Sequence, residues 1–267
     1  MKNKKIAILG GGNIGMSMVQ GFLKSGLFTK ENMVITRIAS QPLDDIISMN
    51  IKATHDNEKA IKDADYVIIA VQPRQANNLI KSIKNSLDEN KQIIISSITA
   101  LNIEDIERLL EKKVKVIRIM PNTAISICES MTCLSCNDTS TGFFAEVKNI
   151  FDKLGSTLVI DEKLMAAATV LGACGTAFML RFIRAASQGG IQVGFHAEEA
   201  QLIAAQVAKG AATLLLENKL HPEQEIDKVT TPMGLTIKGL NEMEHNGLSS
   251  AVIKGIVHSF NEIDKIK

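Results

Sequence analysis

The sequence predicts an α/β protein in two parts: a doubly wound parallel sheet over residues 1–160 and an all-α domain over residues 161–267. Two observations carry this. Up to residue 160, short β-branched runs alternate with amphipathic stretches, as a parallel sheet with crossover helices requires. Beyond Asp161 those runs vanish, and Ala, Leu, Met and Gly recur at helical spacing to the C-terminus. A chain of 267 residues accommodates two medium domains, each able to bury a core.

In chain order, residues 5–9 read as the first strand and residues 13–25 as the helix that follows it. Further strands are predicted at 33–36, 66–71, 92–96, 115–119 and 156–160, and residues 131–136 also have strand character. The run Gln92-Ile93-Ile94-Ile95-Ser96 is continuously apolar and β-branched at its centre, which suits a strand buried on both faces. The second half reads as about five or six helices by its periodicity. One of them covers 198–216, with Glu198 and Glu199 in the first turn where the helix dipole favours negative charge.

Composition excludes several functions. Thirty basic and 29 acidic residues give a formal net charge of +1, too little to gather nucleic acid or anionic lipid. With no Trp and one Tyr, there is no platform for stacking bases. The five histidines, His55, His196, His221, His245 and His258, lack paired metal spacing, so no metal site is expected. Cys133 and Cys136 form a C-x-x-C, but residues three apart on a strand point to opposite faces. Reduced, structural cysteines in a cytoplasmic protein are therefore expected. The least polar stretch, 164–180, sits at the short limit for a bilayer span and contains Gly172 and Gly175. It reads as a helix buried in a core or a subunit interface. Together with residues 204–216 it offers more apolar surface than one helical layer covers, so a homodimer or higher homo-oligomer is expected.

The chemistry begins at Gly10-Gly11-Gly12-Asn13-Ile14-Gly15, which directly follows a predicted strand and opens a predicted helix. In such a turn Gly10 permits the tight bend, Gly12 lets the backbone approach a pyrophosphate, and Gly15 lets helix and strand pack closely. The N–H groups of Asn13, Ile14 and Gly15 then lie at the positive end of a helix dipole, where an anion is held. This context predicts a Rossmann-like dinucleotide-binding domain. An NAD site would carry an acid about 20 residues beyond the glycines. The chain has Thr36-Arg37 at the end of the second strand instead, with no acid until Asp44. A guanidinium without a neighbouring carboxylate can pair with a 2′-phosphate, so NADP(H) is expected to be preferred, with NAD(H) also accepted.

Longer motifs extend this reading across nearly the whole chain. Ala64-Asp65 to Pro73 resembles A-D-x-V-x-x-A-V-K-P, Arg118-Ile119-Met120-Pro121-Asn122-Thr123 resembles R-V-M-P-N-T-P, and Val229-Thr230-Thr231-Pro232-Met233-Gly234-Leu235-Thr236-Ile237 resembles V-T-S-P-G-G-T-T-I. With the glycine loop, these motifs resemble those of the pyrroline-5-carboxylate reductase family, which reduces a cyclic imine to proline with NADPH or NADH. The resemblance implies that Asn57 lies near the adenosine ribose and that Ala70, Val71, Gln72, Ser97, Ile98 and Thr99 line the cofactor cleft. It also implies that Met120, Pro121 and Asn122 border the nicotinamide, with Asn122 reaching the substrate. The backbone of Gly234, Leu235 and Thr236 would hold the substrate carboxylate. The family's C-terminal helices interlock, which makes the all-α part a substrate-binding and dimerisation domain. A protonated C=N is already electrophilic and needs no strong base, so a hydroxyl on the ring nitrogen suffices, and Thr236 is the candidate. Capping of the helix that starts near Pro232 is the competing role for Thr236.

The sequence departs from the family pattern at several points. Gln72 stands for the usual Lys, Ala124 for Pro, Met233 for Gly and Lys228 for Asn or Gln, and S-G-S-G-P-A-Y becomes Gly172-Ala173-Cys174-Gly175-Thr176-Ala177-Phe178. Met233 restricts the turn if that turn needs φ > 0, while Lys228 would add positive charge near a carboxylate. These departures leave two other readings open: a related NADP-dependent enzyme of another small imino or hydroxy acid, and a non-catalytic NADP-binding paralogue. Hydroxyacid dehydrogenases share the architecture, but the position of their acid/base Lys is occupied by Arg181, which stays protonated and cannot take a proton.

Overall fold

The computed structural model describes residues 4–266. Among the described residues eight strands form one sheet: β1 Ile6–Leu9, β2 Met33–Thr36, β3 Lys52–Thr54, β4 Tyr66–Ile69, β5 Ile93–Ser96, β6 Lys115–Met120, β7 Ser130–Ser135 and β8 Gly155–Val159. Their spatial order is β3-β2-β1-β4-β5-β6-β7-β8. All neighbouring pairs are parallel except β6 with β7, where Arg118 faces Ser135 and Met120 faces Cys133. The expected all-parallel sheet is corrected at this one point. Residues 121–129 between β6 and β7 hold only a 3-10 segment, Thr123–Ile127, and so short a link returns the chain antiparallel.

Alternate residues of each central strand feed opposite faces, so the sheet is buried on both sides. Ile6 and Ile8 of β1 join one core with helices α1 (Asn13–Ser25), α2 (Asp44–Ser48) and α6 (Gly142–Phe151), through Phe22, Ile46 and Phe151. Ala7 and Leu9 join the other, with α3 (Asn57–Ile61), α4 (Pro73–Ile83) and α5 (Ile103–Leu110), through Ile61, Ile80 and Ile106. The architecture is the doubly wound α/β class followed by helices that the sequence predicts.

The helical half comprises α7 (Met165–Ala168), a π-helical turn Thr169–Cys174, α8 (Gly175–Gln192), α9 (Ala197–Asn218), α10 (Pro222–Val229), α11 (Leu235–His245) and α12 (Leu248–Glu262). The chain forms two compact units. One runs to Cys174 and includes residues from Ser259 onward; the other is Gly175–His258. The composition changes at Asp161, yet α7 and the π turn belong to the sheet unit because Met165 packs with Met120 and Cys133. Buried Arg118 reinforces this: it donates to Glu162 at 3.2 Å, whose carboxylate also receives the Ile103 N–H at 2.8 Å.

In the helical unit, α8 and α9 approach closely where Gly190 lies against Ala200. Large apolar side chains remain exposed along both, among them Met179, Phe182, Leu202, Val207 and Leu216. The run Glu162–Gln192 is long and apolar enough to cross a membrane, and only 17% of its most apolar window is buried. Most of that surface is thus open in a single chain.

Candidate active site

The glycine loop has the geometry its sequence requires. Gly10 takes φ +114°, and a Cβ there would fall 2.4 Å from the Ala70 carbonyl oxygen. A Cβ on Gly15 would lie 2.0 Å from the Gly10 oxygen, which explains the close approach of α1 to β1. Gly12 differs, because no atom lies within 4 Å of its Cβ position and it caps α1 without a side chain. The first-turn N–H groups of α1 have no intrahelical acceptor, and Gly12, Asn13 and Ile14 at this helix start line an open cavity.

Two cavities of about 370 and 420 Å³ share Gly12, Ala70, Val71 and Gln72, and so form the halves of one cleft. The first is walled by Thr36 at the end of β2, by Arg37 just beyond it and by Asn57 at the start of α3. The second is walled by Asn13 and Ile14 at the start of α1, by Ser97 and Thr99 after β5, and by Met120, Pro121 and Asn122 at the end of β6 and just beyond it. In the strand order β2 and β5 lie on opposite sides of the β1–β4 pair, so the cleft straddles the carboxyl ends at the switch point where α/β sheets take dinucleotides. A narrow glycine turn with open space at a helix start fits a pyrophosphate, and the two cavities fit the two nucleotide halves.

Individual side chains refine the sequence expectations. Asn57 accepts a 2.6 Å hydrogen bond from the Thr36 hydroxyl, which orients its amide at the cavity wall. Gln72 caps α4 in a reciprocal box with Gln75. Asn122 accepts from the Ala124 N–H at 3.0 Å and donates to the Gly172 carbonyl at 3.2 Å, tying the loop after β6 to the π turn. Ile98, expected in the cleft, is fully buried in the core beneath it and is not brought to the site. Its neighbours Ser97 and Thr99 do reach the cavity because successive residues of extended chain alternate in direction. Gly15 likewise stays behind the loop, as its packing role requires.

Arg37 calls for a second correction. The sequence shows no adjacent acid, yet Asp45 on α2 folds back and grips the guanidinium with both carboxylate oxygens at 2.5 and 2.8 Å. A separation of eight residues through an irregular loop hid this contact. His55, Thr169 and Ala173 also wall the cavities, and no sequence pattern singles them out. His55 follows β3, the three-residue edge strand that no run of β-branched residues announces, and its Nδ1 lies 3.0 Å from the Arg37 carbonyl. Thr169 and Ala173 come from the π turn, whose register no periodicity reveals.

In the helical unit, Gly234 donates its N–H to the Thr231 carbonyl at 2.8 Å and closes a turn with Pro232 and Met233 at its centre. Met233 adopts φ +61°, so the turn keeps a left-handed conformation that glycine usually supplies. The residue is 89% exposed. A Cβ on Gly234 would fall 2.5 Å from the Thr231 hydroxyl, so that glycine is sterically required. Helix α11 starts at Leu235 with Gly234 as its cap and no side-chain cap, which removes capping as the role of Thr236. Thr236 sits in the first turn with an exposed side chain. Lys228 is engaged by Glu225 at 2.9 Å, so its charge is largely offset.

Fold and cleft together define a dinucleotide-dependent oxidoreductase. A family model described as pyrroline-5-carboxylate reductase dimerisation matches residues 162–266, and one described as NADP oxidoreductase, coenzyme F420-dependent, matches residues 5–100. The chain belongs to the pyrroline-5-carboxylate reductase family. It is 44% identical to pyrroline-5-carboxylate reductase 2 of Dictyostelium discoideum over 98% of this chain and 93% of that one. It is 48% identical to pyrroline-5-carboxylate reductase 1 of the same organism over 95% of this chain, and spans 48% of that relative's length. The crystal structure of Plasmodium falciparum pyrroline carboxylate reductase with NADP bound superposes with a TM-score of 0.90, covering 100% of this chain and 99% of that one at 24% identity. Neither a hydroxyacid dehydrogenase nor a non-catalytic paralogue gains support from these matches.

Proposed function

We propose that this chain reduces the C=N bond of 1-pyrroline-5-carboxylate to give L-proline, the last step of proline biosynthesis, with NADPH preferred over NADH. The observation that carries the reading is family membership at 44% identity over almost the full length of a relative named for this reaction. The cleft at the sheet switch point agrees with it. The assay is oxidation of NADPH by the purified chain with pyrroline-5-carboxylate present, and an absence of substrate-dependent oxidation contradicts the reading.

The bound nicotinamide supplies the hydride. The residues of this chain would do the rest: Gly10 to Ile14 would seat the pyrophosphate on the α1 N-terminus, and Asn57 and Arg37 would hold the adenosine ribose. Met120, Pro121 and Asn122 shape the nicotinamide end. The turn from Gly234 to Thr236 offers backbone N–H groups to the substrate carboxylate, and the Thr236 hydroxyl hydrogen-bonds the imine nitrogen. No side chain has to abstract a proton from carbon.

The NADPH preference rests on Arg37 at the cavity wall. Arg37→Ala is expected to weaken NADPH by about tenfold and NADH far less, as loss of one charged contact implies. Equal weakening of both cofactors contradicts the 2′-phosphate assignment.

The chain acts as a homodimer or larger homo-oligomer through α8, α9 and α12. Support comes from the match to a dimerisation family over 162–266 and from exposed Leu202, Val207 and Phe182. Light scattering at micromolar concentration is expected to give at least twice the 267-residue chain mass, and Val207→Glu to lower it. A fully active wild-type monomer contradicts this. Four free cysteines accord with the reducing cytoplasm proposed as its location.

A further inference from the structure

The guanidinium that would meet the 2′-phosphate is already occupied within the chain. Of its five N–H groups, Nε donates to the Gly11 carbonyl at 2.8 Å and Nη1 to the Pro42 carbonyl at 2.8 Å and to Asp45 Oδ1 at 2.5 Å. Nη2 donates to Asp45 Oδ2 at 2.8 Å, and its second hydrogen is the remaining donor. The Arg37 side chain is 12% exposed and that of Asp45 59%, so the carboxylate covers the guanidinium from the solvent side. Hydrogen bonding to Arg37 holds the Asp45 carboxyl below the usual aspartate range, so it is charged at neutral pH. Both residues also line a cavity with Gly11, Gly12 and Asn13, at the mouth of the pyrophosphate loop.

We infer that Asp45 is a specificity-determining residue for the cofactor: it competes with the 2′-phosphate of NADPH for Arg37 and so restrains the preference for NADPH over NADH. A phosphate dianion reaching Arg37 finds a single remaining N–H on Nη2, has to displace the bidentate carboxylate to gain more, and lies beside its negative charge. The 2′-hydroxyl of NADH meets no such repulsion. The inference rests on the proposed meeting of Arg37 with the 2′-phosphate.

Dissociation constants of NADPH and NADH, followed by cofactor fluorescence, test this on wild type, Asp45→Asn, Arg37→Ala and the double variant. Asp45→Asn keeps the shape of the side chain and removes its charge at an exposed position. It is expected to tighten NADPH by about threefold, the scale of an exposed ion pair, to move NADH less, and to have no selective effect when Arg37 is already Ala. Weaker NADPH binding in Asp45→Asn, equal shifts for both cofactors, or the same gain without Arg37 each overturn the inference. A selective NADPH loss in Arg37→Ala with no gain in Asp45→Asn overturns the inference alone. Equal losses of both cofactors in Arg37→Ala overturn it together with the 2′-phosphate reading.

Discussion

Gly15→Ala is expected to destabilise the sheet domain by about 3 kcal/mol, the upper part of the range for overpacking a tight contact. Alanine gains up to about 1 kcal/mol over glycine in a helix, so propensity alone gives the opposite sign. The contact decides, because the added methyl would sit 2.0 Å from the Gly10 oxygen and 3.1 Å from its carbonyl carbon, both backbone atoms. Helix α1 must then move away from β1, and the pyrophosphate seat moves with it. Gly12→Ala is the contrasting case. Its methyl meets nothing within 4 Å and its φ of −83° suits any residue, so the melting temperature is expected to hold. The methyl would stand where the cofactor approaches, and NADPH affinity is expected to fall by more than about tenfold, a loss of at least 1.4 kcal/mol. Thermal unfolding and cofactor titration on both variants separate the two roles. A stable Gly15→Ala that binds NADPH normally, or an unaffected Gly12→Ala titration, contradicts the assignment.

Thr236→Ala is expected to lower kcat and kcat/KM together by about tenfold to a hundredfold, the value of one hydrogen bond strengthened in the transition state. NADPH affinity is expected to stay near wild type, because the residue belongs to the Gly175–His258 unit while the glycine loop belongs to the other. The melting temperature is also expected to hold, since Gly234 occupies the cap position and no cap is lost. Thr236→Ser keeps the hydroxyl and is expected to retain most of the activity. Unchanged kcat/KM in folded Thr236→Ala removes the residue from the mechanism.

What the sequence revealed and what it concealed divide along a physical line. Strands such as 93–96 were legible because burial on both faces demands an unbroken apolar run, and the glycine loop because each glycine answers a steric demand within a few residues. The edge strand β3 was not, because Lys52-Ala53-Thr54 pairs on one side only and carries no apolar signal. The reversal at β7 was set by a short connection, and a pattern of apolar residues says nothing about strand direction. At the site, Arg37 was found and its partner was not: the loop that brings Asp45 back has no periodicity to read. Ile98 was drawn into the cleft by its neighbours Ser97 and Thr99, although alternation along extended chain turns its side chain to the core. Met233 is the reverse case. Its departure from glycine suggested a changed turn, and the turn keeps positive φ all the same.

The most direct test of the proposed reaction is the fate of the hydride. NADPH deuterated at the transferable position of its nicotinamide, incubated with the purified chain and pyrroline-5-carboxylate, is expected to yield proline in step with cofactor oxidation. Each proline should carry one deuterium on the ring carbon that bore the imine. No proline, or proline without the label at that carbon, contradicts direct hydride reduction of this imine by the chain.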